Sequence, residues 1–297
     1  MGDLFNANKY NEGHYESWKD TLGNNFTGNN GIHNSMMQNK NWQTQGGYQA
    51  EVSGMYGEFT VAAVFKALPD EYAILNDVLI QTGIQYRRYT YDDYLKYGES
   101  PWDLVIKRGK NIQQINKQQA LAIMKGNTNT VYYEQVKQSS QLDHIIVSPY
   151  GIFVIETKNH KGMIFGDMNG KVWTETFLST HHTFYNPVLQ NEQHLRYLSK
   201  YMGIGRQYMV GLIVFTNPQA DLSHVNCPFC LTVPQLQQAI ESYDRAIWDE
   251  EQKLAVIKRI EKINSSSYTL SKEHVTFVKD LQHRQEVNKA YKRRSYV

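Results

Sequence analysis

Within the stretch QLDHIIVSPYGIFVIETKNHKG, residues 141 to 162, three side chains could act together: Asp143, Glu156 and Lys158. Two apolar runs, IIV and IFVI, flank the turn-like SPYG. Each run ends on a carboxylate, and an ammonium follows two residues past the second. If the chain reverses at Pro149 and Tyr150, Val147 faces Ile152, Ile145 faces Val154 and Asp143 faces Glu156. Strand alternation then puts Lys158 on the same sheet face as Glu156. Directly opposed residues have Cβ atoms about 4.5–5.5 Å apart, where like charges destabilise the pair. A divalent cation would neutralise them. Two carboxylates suit hard Mg²⁺, which completes its shell with water and phosphate oxygens. A neighbouring ammonium can orient or help deprotonate an attacking water, or offset charge developing on phosphorus. Asp followed by Glu-x-Lys on the next strand therefore suits metal-dependent hydrolysis of a phosphodiester. The alternative is an exposed hairpin end where Lys158 merely offsets Glu156, worth under about 1 kcal/mol. A one-residue slip in register would remove the pairing.

The elements that must position these residues are legible around them. Inboard of the acids the hairpin is apolar on both faces, Ile145 and Val147 on one and Ile146, Phe153 and Ile155 on the other, so helices should cover both sides of the sheet. Upstream, SGMYGEFTVAAVFKALP predicts a helix, with Val61, Val64, Phe65 and Leu68 at helical spacing and Pro69 past its end. Glu58 shares a stripe with Val61, Ala62 and Phe65 and so faces the core, where an unpartnered carboxylate is costly. Its partner is either the metal site or a structural donor such as a backbone amide or an arginine. A strand follows at YAILNDVLI. Downstream, NPVLQNEQHLRYLSKYM has an Asn N-cap and Pro in the first helical turn. In that helix Gln190, His194 and Tyr197 form a polar stripe, which is either a solvated face or a set of side chains over the site. Neither Gln190 nor His194 would replace the acids as metal ligands. The runs YMVGLIVFT and FCLTV complete an alternation of strands and helices that predicts an α/β domain.

At 297 residues the chain can bury a sizeable core. A net charge of +2 permits a nucleic-acid partner without requiring one. Two cysteines are too few for a disulfide framework, and no apolar run reaches the roughly 18 residues of a membrane span; a cytoplasmic protein with no membrane partner is expected. Residues 1–50 read as an Asn/Gln-rich extension, 51–236 as the α/β domain and 237–297 as a helical segment. Residues 86–133 read as an insertion, with a helix over NIQQINKQQALAIMK. The extension and the insertion are expected to form a lid, a contact within a homo-oligomer or a substrate-selecting surface. Cys227 and Cys230 in HVNCPFC have zinc-type spacing, with His224 as a third candidate, but no second pair exists; a loop leading into a core strand is the simpler reading. The tail KAYKRRSYV could track a phosphate backbone or be merely solvated. No phosphate-binding G-x-x-x-x-G-K-[ST] occurs, so ATPase or helicase activity would have to come from a partner.

Beyond its chemistry, LDHIIVSPYGIFVIETKNHKGMIFG resembles the nuclease-related domain family (NERD), a branch of the restriction-endonuclease-like PD-(D/E)XK superfamily. The similarity extends to GEFTVAAVF and AILNDVLI upstream and to VWTE, NPVLQNEQHLRYL and VGLIVFTN downstream, about residues 54 to 236 around the insertion. The resemblance implies a restriction-endonuclease-like mixed sheet flanked by helices, and DNA cleavage with Mg²⁺, for which Mn²⁺ would substitute. It puts Asp143, Glu156 and Lys158 on motif positions, Glu58 on the helical acid of such folds and Gln190 over the active site. RNA is a second substrate class. The rival expectation is a non-catalytic module that binds nucleic acid or a protein. The insertion and the N-terminal extension depart from the compact family pattern.

Overall fold

The computed structural model describes residues 8–9, 57–58, 60–126, 129–264 and 267–294. The extension expected over 1–50 lies outside these apart from residues 8–9, as does the end of the basic tail at 295–297. The chain is a mixed α/β protein that divides into two compact units, 1–78 with 141–262 and 79–140 with 263–297. Two strands of 17 residues, β1 (Ala73–Tyr89) and β4 (Tyr132–Ser148), pass from one unit to the other.

The sheet of the first unit is built on the hairpin of β4 and β5 (Gly151–Lys158). Its antiparallel register pairs Ile145 with Val154, Val147 with Ile152 and Ser148 with Gly151, so the reversal at Pro149 and Tyr150 is the expected one. Next to β5 run β9 (Met209–Phe215) and then β11 (Cys230–Thr232), both parallel to their neighbours. Parallel strands need crossovers, and helices supply them on both faces. Alternation along β9 sorts the core. Leu212 and Val214 pack with Ile146, Phe153 and Ile155 against Val61 and Phe65 of α1 (57–58 and 60–65) and Leu236 of α5 (Val233–Glu241). On the other face, Ile213 and Phe215 pack with Ile164 and Trp173, beside Val188 of α4 (Pro187–Met202). Each such fully buried side chain contributes about 1.5–3 kcal/mol of transfer free energy.

The same unit carries a second sheet in the order β10 (Ala220–Asn226), β6 (Gly162–Asp167), β7 (Val172–Phe177), β8 (Thr180–Tyr185). Of these, only β7 is predicted by the sequence. The anchor of this sheet is Trp173, fully buried, with its indole N–H donating to the Asp167 carbonyl at 2.9 Å. Cys227 is buried in the turn after β10, and Cys230 opens β11.

In the second unit, β2 (Leu104–Arg108) pairs antiparallel with β3 (Asn111–Ile115) and with the first part of β4. Helices α2 (Tyr91–Tyr97), α3 (Lys117–Lys125) and α7 (Ser267–Arg294) complete it, while α6 (Glu250–Asn264) precedes α7. The helix expected over 111–125 is corrected here: its first five residues are β3, because Gly109, at φ +60°, turns the chain back on β2. The helix begins only after Asn116, whose side chain accepts from the N–H groups of Gln118 and Gln119. In this unit Glu134 is fully buried between two guanidinium groups. Arg284 donates to it at 2.6 Å and Arg87 donates to its other oxygen, while both arginines also bond Asp280, at 2.8 Å from Arg87 and 2.9 Å from Arg284.

Candidate active site

The hairpin brings its two acids to one end of the sheet. Beyond the pair His144 and Ile155, the Thr157 N–H donates at 2.8 Å to the Asp143 carboxylate, and the Thr157 hydroxyl donates to the same oxygen at 2.9 Å. Both bonds fall on Oδ2, so Oδ1 is left for another ligand. Glu156 is only 2 % exposed. Its Oε1 accepts from Lys158 Nζ at 2.6 Å, and the same ammonium donates to Gln190 Oε1 at 3.1 Å. The other oxygen, Oε2, is buried and accepts no hydrogen bond; His194 Nδ1 lies 3.4 Å away and is likewise without a bond. A buried carboxylate oxygen with no donor costs on the order of 1–3 kcal/mol, more when charged. Bound metal would satisfy it.

Three further elements fix this arrangement. α4 is held on the sheet by Asn191, whose amide donates at 3.0 Å to the carbonyls of both Val154 on β5 and Leu212 on β9. One residue earlier on that helix sits Gln190, and three later His194. The helix start is fixed by Asn186, which caps Val188 N–H and donates back to the carbonyls of Asp167 and Gly170. At the far end of β9, the Thr216 N–H donates to the Lys158 carbonyl at 2.9 Å. Gly57 packs on this same threonine: a Cβ at residue 57 would stand 2.6 Å from the Thr216 hydroxyl. The absence of a side chain there lets α1 come close to the end of the sheet, with Glu58 next in sequence and half-buried.

Electrostatics ties the three acids into one cluster. Burial raises the Asp143 carboxyl to about 6, with the charge of Glu156 adding to the effect and the Thr157 bonds and Lys158 opposing it. Burial raises Glu58 to about 7, helped by the charges of Asp143, Asp77 and Glu156. Burial also lowers His194 to about 4, so its imidazole is neutral at pH 7.

The structure thus brings together Glu58, Asp143, Glu156, Lys158 and Gln190. His194, read from sequence as one member of a polar stripe, is buried beside Glu156, whereas Tyr197 accepts a bond from Gln193 away from the acids. His224 stacks on Phe165 at 4.6 Å rather than joining the two cysteines. Sequence reasoning passed over Asn191 and Thr157. The first carried a signal, a polar residue on the apolar stripe of a helix; the second carried none. It also passed over Asp77, which sits within β1 with a left-handed backbone at φ 53° and whose charge helps raise Glu58.

The chain is 27 % identical over 154 residues to an uncharacterized protein of Bacillus anthracis, an alignment that covers 50 % of this chain and 72 % of the relative. No solved structure matches it. The family model of the nuclease-related domain begins at residue 116, inside the stretch read from sequence as an insertion, and leaves Glu58 outside. Residues 116–216, which hold Asp143, Glu156, Lys158, Gln190 and His194, match the family model of the nuclease-related domain, NERD.

Proposed function

We propose that the chain is a metal-dependent nuclease of the restriction-endonuclease-like type that hydrolyses phosphodiester bonds in DNA. One observation carries the reading: a buried, bondless carboxylate oxygen on Glu156, set in a cluster with Asp143 and Glu58 and beside an ammonium. Clustered carboxylates, with those of Asp143 and Glu58 raised in pKa, and an unsatisfied oxygen on Glu156 are the donor set of a hard cation, so the residues fit Mg²⁺, with Mn²⁺ as its substitute. Asp143 and Glu156 would hold it and Glu58 would support it. When bound, the ion supplies Lewis acidity at the phosphate and lowers the pKa of water.

The chain's own groups do the rest. Lys158 Nζ is tethered from two sides, by Glu156 Oε1 and Gln190 Oε1, so its charge is fixed where negative charge would develop on phosphorus. With its remaining N–H it can also donate to the oxygen of an attacking water and so orient it. Thr157 holds the Asp143 carboxylate in one orientation through Oδ2, which leaves Oδ1 clear of those bonds. His194, neutral and closely packed, supports the position of Glu156 and excludes water behind it.

The test is incubation of the purified chain with plasmid, linear duplex and RNA in Mg²⁺, Mn²⁺ or EDTA. Cleavage of DNA with either metal, abolished by EDTA and by Lys158→Ala, is expected. Cleavage of RNA alone would reassign the substrate. No cleavage of any substrate, together with Asp143→Ala protein that binds nucleic acid like the parent, would leave a non-catalytic binding module instead.

A further inference from the structure

A second group of ligating side chains lies just past the catalytic strand and plays no part in the reading above. His160, two residues beyond Lys158, donor atoms on Glu175 of β7, and His182 of β8 all lie within 4.8 Å of one another. Three independent constraints bring them together. Glu175 and His182 are directly opposed cross-strand partners. The His160 ring is clamped flat on Phe184, with centroids 3.8 Å apart and planes at 19°, and faces the His182 ring at 6.1 Å. Its Nδ1 lies 2.6 Å from Glu175 Oε2, and His182 Nδ1 lies 3.9 Å from the same oxygen.

We infer that His160, Glu175 and His182 form a second metal site, for a divalent cation of the zinc class bound through two imidazole nitrogens and one carboxylate oxygen. Metal–ligand distances of about 2.0–2.1 Å in a tetrahedral site put neighbouring donors about 3.3–3.4 Å apart. Two of the separations, 2.6 and 3.9 Å, bracket that value and the third is within 4.8 Å, so an ion would enter by replacing the His160–Glu175 hydrogen bond as the side chains turn toward it. The donor types select the metal: imidazole with a single carboxylate suits Zn²⁺ and its transition-metal neighbours, whereas Mg²⁺ prefers oxygen alone. Lys161 leaves the carboxylate free of its ammonium, since its Nζ lies over the Phe177 ring, 4.3 Å from the centroid. The His182 side chain is 66 % exposed, which leaves a fourth position open to solvent. Such a metal would tie the β7–β8 hairpin to the segment that leaves β5, immediately after the catalytic lysine.

The test uses the full chain carrying Asp143→Asn, so that the nuclease site is impaired while this one is intact. Titration with Zn²⁺ should show one ion bound per chain, and Co²⁺ should give the visible absorption of a low-coordinate site with nitrogen donors. Adding His182→Ala or Glu175→Gln should weaken Zn²⁺ binding by more than the roughly 10- to 100-fold that loss of an outer-shell partner costs. Since His182 is largely exposed, its alanine variant should keep the parent's circular dichroism and metal-free melting temperature. Absence of Zn²⁺ uptake by the Asp143→Asn chain, or uptake unchanged by His182→Ala, overturns the assignment. Neither result bears on DNA cleavage, so this inference and the nuclease reading fail separately.

Discussion

At the scale of the residue, the two hairpin acids govern what the metal-free protein should do. Asparagine at 143 can accept both Thr157 bonds through its one carbonyl oxygen and removes a charge from beside Glu156 and Glu58. Asp143→Asn protein should therefore melt at or above the wild-type temperature in EDTA. Wild type should gain with Mn²⁺, about 2.7 kcal/mol at a hundredfold excess over the dissociation constant, and the variant should gain little. A variant that still melts higher with Mn²⁺ would show that the ligands lie elsewhere. The pH dependence has a definite sign. Folding raises Asp143 to about 6 and Glu58 to about 7, so the folded protein holds protons that the unfolded chain releases. Their contribution to stability is complete below about pH 4, the ordinary carboxyl range, and is lost as pH rises through 6 and then 7. Melting temperature in EDTA, measured from pH 4 to 8, should fall more steeply for wild type than for Asp143→Asn; parallel curves would contradict the coupling.

At the scale of the element, the small sheet that follows β5 depends on one contact. A Cβ at Gly166 of β6 would stand 2.2 Å from the Trp173 ring, and that ring is fixed by its bond to Asp167 and by Phe215 stacked at 6.3 Å. Gly166→Ala should cost about 1–3 kcal/mol, the range for overpacking, as read from urea unfolding. An undiminished midpoint would mean that the tryptophan moves freely. The same sheet marks where sequence reading ran out. The central hairpin, α1, α4 and β9 were legible because each carries a dense apolar pattern with a cap, a proline or a turn beside it. Strands β6, β8 and β10 are mostly exposed and lack a regular alternation of polar and apolar residues, so little in their own sequence separates them from loop. The candidate site was legible only where spacing fixes geometry, as in Asp143, Glu156 and Lys158. Side chains set by tertiary packing, such as Asn191 against two strands and His194 against Glu156, leave no such periodic trace.

At the scale of the whole molecule, the second unit is governed by a buried charge network. Glu134 is fully buried and receives bonds from Arg87 and Arg284, which also share Asp280; Trp102 adds an N–H to Asp280 at 3.3 Å. Removing one member of a buried ion pair typically costs about 3–5 kcal/mol, because the other is left uncompensated. Arg284→Ala should fall toward the low end, since Arg87 still faces Glu134. Hydrogen exchange should show loosening across β2, β4 and α7, and an unchanged exchange map would count against the network. Pairing the arginine deletion with Glu134→Gln should recover part of the loss, because the stranded charge is gone. The network has a further consequence for biogenesis. Arg284 follows Glu134 by 150 positions in the chain. At about 5–20 residues per second, a ribosome delivers it roughly 8–30 s after the glutamate. Until then Glu134 has Arg87 alone, and the strands of the nascent second unit would close over a buried acid that lacks its second guanidinium. Ribosome-bound chains stalled before residue 280 should thus stay protease-sensitive across residues 79–140, and gain protection only once α7 has emerged.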